Sequence, residues 1–279
     1  MCFLFLFVLL LFTACSKDRG GVLEKPECVG VFLHANPPLE LFSTFDWVIV
    51  DPDGTDLSTV SKNLGSHRRA KIFAYLSIGE AEPYRAYFNK IRKEWIIGEN
   101  KFWNSYIVDL RAQEYQDLLL EIMEEIGKKG YDGLFLDTFD SYQMALDQRE
   151  WESYELAEIN LIRRAKAAYP HLMLIPNRSF EILEHIRDYI NGFLFEGLFS
   201  KIDFETDSYV PVSEEERKWL LAKLEPARSV DIPIVVVDYV SLSDREKVSE
   251  LIRRIRSFGF IPYISEKELN VIGVSPCRP

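Results

Sequence analysis

The sequence predicts a single (β/α)8 barrel of the TIM type, and three observations predict it. Nine short runs rich in β-branched and aromatic residues recur along the 279 residues. Longer stretches of helical periodicity lie between them, the pattern of parallel strands joined by crossover helices. No repeat, low-complexity tract or Gly/Ser linker divides the chain, and a barrel of this kind occupies roughly 250 residues.

The chain opens on MCFLFLFVLLLFTAC, an apolar run shorter than the roughly 20 residues a spanning helix needs. It reads as a signal peptide over 1–14. Thr13 and Ala14 before Cys15, with Ser16 after it, resemble a bacterial lipoprotein processing site, which leaves Cys15 as the lipidated residue. The expected product is exported, either anchored to the membrane of the cell envelope through that lipid or secreted. Residues 15–27 form a tether, and 28–279 form the barrel.

The strands follow in order: CVGVFL from Cys28, WVIVD from Trp47, KIFAYLSIG from Lys71, SYIVDL from Ser105, GLFLD from Gly133, LMLIPN from Leu172, GFLFE from Gly192 and IPIVVVDY from Ile232. These eight are expected to close the barrel, with FIPYIS from Phe260 as an accessory strand. Among the helical stretches, QEYQDLLLEIMEEIGKKG places Leu118, Ile122 and Ile126 four residues apart and ends at Gly130, a suitable C-cap. Cys28 and Cys277 stand near the two ends of the folded part, where either a disulfide or two buried thiols would serve.

The net charge of −11 argues against nucleic acid, whose phosphates require a basic patch, and favours a cationic ligand. His34, His67, His171 and His185 form no close pair, so the residues make no case for a histidine metal site. No Gly-rich phosphate loop follows a strand, and no cofactor is expected.

Polar residues collect where the strands end: Asp51, Ser77 with Glu80, Asp109, Asp137, Asn177, Glu196, and Asp238 with Tyr239. In a parallel barrel these ends share one face, the face that carries active sites. Burying an unpaired carboxylate costs several kcal/mol on rough scales, so a strand that ends in acid is expected to meet a cleft there. Two facing carboxylic acids are the minimum equipment for glycosidic cleavage: one attacks or stabilises the oxocarbenium-like carbon, and the other protonates the leaving oxygen. Asp137 and Glu196 are the predicted pair. Asp51, Asp109 and Asp140 are candidates to bind sugar hydroxyls or an amine, and Tyr75, Trp103, Tyr142 and Tyr239 offer ring faces, although core packing is the better account of any one of these rings taken alone.

The stretches GYDGLFLDTFDSY (130–142), IFAYLSIGEAEPY (72–84), PPLELFSTFDWVIVDPD (37–53) and FWNSYIVDL (102–110) together resemble glycoside hydrolase family 114. The resemblance implies a (β/α)8 barrel acting as an endo-α-1,4-polygalactosaminidase on an amino-sugar polysaccharide. It implies catalytic carboxylates ending the fifth and seventh strands, which fall on Asp137 and Glu196, and a further acid that falls on Asp140. By analogy with retaining α-glycosidases, Asp137 is the nucleophile and Glu196 the acid/base. The expected substrate-binding set is Asp51, Tyr75, Ser77, Glu80, Asp109, Asp140, Tyr142, Asn177, Arg178 and Tyr239. This chain departs from the family pattern in reading Thr138 where many members have Asn, and Pro176 where many have Lys. Two other classes remain open at this level: a non-catalytic carbohydrate-binding lipoprotein, and a metal-assisted esterase using Asp51, Asp109 and Asp137 as oxygen ligands.

Overall fold

A computed structural model describes residues 25–65 and 70–277. The signal peptide and Cys15 lie outside the described residues. Within them, no helix is long and apolar enough to cross a membrane.

In chain order the elements are β1 (Val29–Phe32), α1 (Leu39–Thr44), β2 (Trp47–Val50), α2 (Leu57–Leu64), β3 (Lys71–Ser77), β4 (Glu80–Ala81), β5 (Ile96–Asn100), β6 (Ser105–Val108), α3 (Gln113–Lys128), β7 (Gly133–Asp137) and α4 (Trp151–Ala168). They continue with β8 (Met173–Pro176), α5 (Leu183–Ile186), β9 (Phe193–Glu196), β10 (Ser200–Asp203), β11 (Ser208–Pro211), α6 (Glu214–Lys223), α7 (Glu225–Ser229), β12 (Ile234–Tyr239), α8 (Arg245–Ser257) and β13 (Ile261–Ser265).

The chain has an α/β fold built on parallel sheets. One runs β1-β2-β3-β7-β8 and the other β13-β12-β9. A parallel bridge between Asn177 and Leu194 joins β8 to β9. On the far side the Tyr263 hydroxyl donates to the Val31 carbonyl at 2.6 Å, linking β13 to β1.

Alternation along the strands separates two cores, because successive side chains point to opposite faces. Val29, Val31, Trp47, Ile49, Phe73, Phe135, Ile175, Leu194, Val237 and Tyr263 pack together between the strands. The opposite parity, including Val48, Ile72, Leu134, Leu174, Phe195 and Val236, packs under the helices. Helix α3 buries Leu118, Leu119, Ile122 and Ile126 on that side. Helix starts are capped where the sequence supplies a short polar residue: Asp56 accepts from the Ser58 N–H, Ser213 from Glu216, and Asp244 from Lys247.

The expected place of one strand is corrected. The run from Ser105 pairs antiparallel with β4 and β5 instead of joining the parallel sheet, and β3 pairs directly with β7. A parallel neighbour needs a crossover of a dozen or more residues, usually a helix. Between β4 and β5 the chain makes only the short turns Phe88–Lys90 and Lys93–Trp95, and β5 meets β6 through a tight hairpin. The run from Phe260, expected to be accessory, is the eighth parallel strand beside β12. Asp137 and Glu196 therefore end the fourth and sixth parallel strands, not the fifth and seventh, and remain two strands apart.

Cys28 and Cys277 form a disulfide with Cα atoms 4.9 Å apart, across a sequence separation of 249.

Candidate active site

Strand parity decides which strand-end polar groups reach the cleft. Continuing the inner face two residues beyond Ile49, Phe135, Ile175, Leu194 and Val237 arrives at Asp51, Asp137, Asn177, Glu196 and Tyr239. These five, with Tyr75, Glu80, Trp103, Asp140 and Arg178, line a cavity of about 440 Å³ at the C-terminal ends of the parallel strands.

At its floor the Asn177 side-chain amide donates to both predicted catalysts, 2.8 Å to Asp137 Oδ1 and 3.0 Å to Glu196 Oε1. The two carboxylate oxygens are therefore at most roughly 6 Å apart, within the span of a retaining carboxylate pair. The Asn177 Oδ1 has no hydrogen-bond partner, so the polar contacts of this amide run through its donor end. Tyr239 donates its hydroxyl to Glu196 Oε2 at 2.6 Å, and burial together with the Glu196 charge holds that phenol well above its usual range. Burial, reinforced by the charge of Glu196, pushes Asp137 up to about 7, against the pull of the Asn177 hydrogen bond. Asp137 is thus poised to change its protonation state near neutrality.

The residue after each of these three strand ends has a left-handed backbone: Thr138 at φ 69°, Arg178 at φ 52° and Gly197 at φ 75°. Each strand turns away sharply once its inward side chain is placed. Thr138 Oγ1 secures the first turn by accepting from the Gly79 N–H at 2.9 Å and bonding the Ser77 hydroxyl at 2.8 Å. Only glycine fits at 79, since a Cβ there would lie 2.3 Å from the Thr138 carbonyl oxygen. Arg178 reaches back from its turn to Asp140, with Nε 3.1 Å from Oδ2.

Three predicted binding residues lie outside the cavity. Ser77 is buried beneath it, its hydroxyl donating to the Glu80 carbonyl at 2.9 Å. Asp109 follows the antiparallel β6 and grips Arg111 in two parallel hydrogen bonds of 2.8 Å. Tyr142 stacks on Tyr154 at 4.5 Å and donates to Glu155, a packing role. Glu80 reaches the cavity wall, but its buried carboxylate is engaged by Asn100 at 2.9 Å, Ser141 at 2.5 Å and Ser105. It knits the β5–β6 hairpin to the loop after β7.

The sequence reading missed the cluster at one end of the cleft. Arg85 Nη1 lies 2.9 Å from Asp51 and 3.0 Å from Asp53, with Nε 3.6 Å from Glu82. Its guanidinium also sits 5.3 Å and 4.9 Å from the Tyr75 and Tyr84 ring centroids. The spacing Glu80-Ala81-Glu82 was the available signal, because an extended segment aims residues two apart the same way. On the rim, Phe204 from the β10–β11 hairpin meets Phe102 and Trp103 at 5.7 Å and 5.8 Å.

Asp238 shows the opposite outcome of parity. It is fully buried on the helix side, where it accepts the N–H groups of Leu198 at 2.7 Å and Phe199 at 3.0 Å. Burial pushes it up to about 7 although those donors pull it down. Asp238→Ala strips both N–H groups of their acceptor directly after Glu196. The expected cost is about 2–6 kcal/mol, at ~1–3 kcal/mol for each of the two unsatisfied groups, read as a fall in melting temperature of several degrees; an unchanged melt would deny the cap its role.

A larger hollow of about 750 Å³ opens at the other end of the strands, lined by Arg228, Asp231, Pro262 and their neighbours. Volume does not mark the site; the convergence of titratable groups does.

Comparison with known proteins agrees with this placement of elements. A model of glycoside-hydrolase family GH114 matches residues 34–278. The solved glycoside hydrolase domain of PelA from Pseudomonas aeruginosa is 30% identical, with a TM-score of 0.82 covering 90% of this chain and 98% of that one. Ega3 of Aspergillus fumigatus, solved in complex with galactosamine, is 14% identical at a TM-score of 0.64, covering 89% of this chain and 94% of its own, and shares the fold. An uncharacterized protein of Deinococcus radiodurans is 26% identical over 238 residues, 82% of this chain and 75% of that protein.

Proposed function

The chain belongs to glycoside-hydrolase family GH114, and from that premise we propose that it is a retaining endo-α-1,4-polygalactosaminidase working through Asp137 and Glu196. The observation that carries the reading is the Asn177 amide shared by the two carboxylates. A binding protein has no need of two acids held a bond's reach apart. We take the two parallel sheets as one closed eight-stranded barrel, supported by the Asn177–Leu194 bridge and the Tyr263–Val31 hydrogen bond. Residues 28–279 then form a single hydrolase domain behind a leader removed before Cys15, exported and held by a lipid or released.

In the first step a carboxylate oxygen of Asp137 attacks the anomeric carbon as the glycosidic C–O bond breaks, and Glu196 gives its proton to the departing oxygen. In the second, Glu196 takes a proton from water, whose oxygen attacks the same carbon and frees Asp137. Two inversions return the starting configuration. The cleft wall carries Asp51, Glu80, Glu82, Asp137, Asp140, Glu196 and Glu268 against Arg85, Arg178 and Lys267. That excess of acid supports a substrate bearing protonated amines, as an α-1,4-linked galactosamine polymer does.

The test is hydrolysis of partly deacetylated α-1,4-linked galactosamine polymer with the anomeric form of the first reducing ends read by NMR. Alpha products are expected; beta products would make the enzyme inverting, and no cleavage of any amino-sugar polymer would favour the binding-protein reading. The pH profile tests the division of roles. Attack requires ionised Asp137, held at about 7, so kcat/KM is expected to fall about tenfold per unit below that pH. A fall above it instead would make Asp137 the acid and exchange the two roles.

A further inference from the structure

Next to the catalytic cleft lies a second cavity of about 290 Å³ that shares only Asp140 and Arg178 with it. The loops after β7 and β8 form its sides, α4 contributes Trp151 and Glu158, and α6 contributes Trp219. Two of its polar groups are almost fully buried yet lack a hydrogen-bond partner: Glu158 Oε1 and Ser179 Oγ, in residues 2% and 3% exposed. Such atoms are rare in folded proteins, and here both belong to residues that line one hollow. Burial, with the nearby charges of Glu155 and Asp140, holds Glu158 well above the usual carboxylate range and so favours its neutral form, which can both donate and accept.

The apolar side of the hollow is aromatic. Trp219 packs edge-on against Phe180 at 5.7 Å, with Lys223 over its ring, and is 47% exposed. Buried water would satisfy Glu158 and Ser179 but gives no reason for a half-exposed indole at the same hollow. Neutral hydrogen-bonding groups beside an aromatic face are what a sugar ring requires, and the volume, roughly that of ten waters, suits one such ring.

We propose that this second cavity is a carbohydrate subsite taking one pyranose ring of a polysaccharide that continues out of the catalytic cleft across the Arg178–Asp140 pair. The proposal rests on the glycosidase reading, and it makes affinity depend on chain length. Glu196→Gln protein, which binds without cleaving, is titrated calorimetrically with α-1,4-galactosamine oligosaccharides of graded length, alone and with Trp219→Ala or Glu158→Gln added. Affinity is expected to rise about tenfold at the length that first reaches the second cavity. Both added substitutions should abolish that rise and leave disaccharide binding unchanged, and Trp219→Phe should restore part of it. A rise that survives both substitutions overturns the subsite while leaving the glycosidase reading intact. Binding of no oligosaccharide at any length overturns both.

Discussion

Asp137→Asn is expected to lower kcat on α-1,4-linked galactosamine polymer by about 10³-fold or more and at the same time to raise the melting temperature above pH 7. The two effects have one origin. The carboxylate proposed to attack the sugar is held where its charge is costly, under burial and beside Glu196, which is why it sits at about 7. In the unfolded chain the same group titrates near 3.8. Between those values the folded chain keeps a proton that the unfolded chain releases, so this group's effect on stability worsens as pH rises from about 4 to about 7. Above pH 7 the full cost stands, a few kcal/mol, because each pH step between the two values adds roughly 1.4 kcal/mol. Asparagine fills the same space with no proton to lose, so the gap in melting temperature should open across that window and vanish below pH 4. Glu196→Gln should be similarly inactive on the polymer but release a single-turnover burst of nitrophenol from an oligosaccharide with that leaving group, which departs without a proton while the second step still lacks its base. Equal turnover by wild type and both variants would remove the pair from the mechanism.

Replacing Cys28 and Cys277 with serine is expected to lower the melting temperature by about 10 °C or more. A crosslink between residues 249 apart removes roughly 5 kcal/mol of chain entropy from the unfolded state. For a domain of this size each kcal/mol moves the melt by about 2–4 °C. The bond lies where it matters for the fold: it ties the residue before β1 to the segment after β13, and these two strands are joined by side chain, through Tyr263 and Val31, instead of by a strand ladder. A shift under about 2 °C would show that the seam holds without it.

The α/β class and its parallel strands were legible because a buried strand demands a run of apolar residues and a crossover demands a helix. The run from Ser105 misled because an apolar composition does not say which way a strand pairs; the lack of a helix before it carried that information. In the same way, Asp137, Asn177 and Glu196 announced themselves as polar ends of apolar strands. Asp238 looked alike and faces away by one residue of parity, whereas Asp109 went with the misplaced strand. The Arg85 cluster was hidden because it depends on Asp51, Asp53 and Glu82 meeting from two separate loops, a juxtaposition no local pattern encodes.

The left-handed turns after Asp137, Asn177 and Glu196 bear on how the cleft meets its ligand. Threonine is an uncomfortable occupant of that conformation, being branched at Cβ, whereas asparagine would be at ease there. Here the strain is offset by the hydroxyl contacts to Gly79 and Ser77, so a loop that would otherwise relax is latched. A latched loop has already lost its conformational freedom before any sugar arrives. Little of the binding energy of a polysaccharide is then diverted into ordering the protein, and the empty and occupied clefts should differ by movements of side chains at the rim, not of the backbone at the floor.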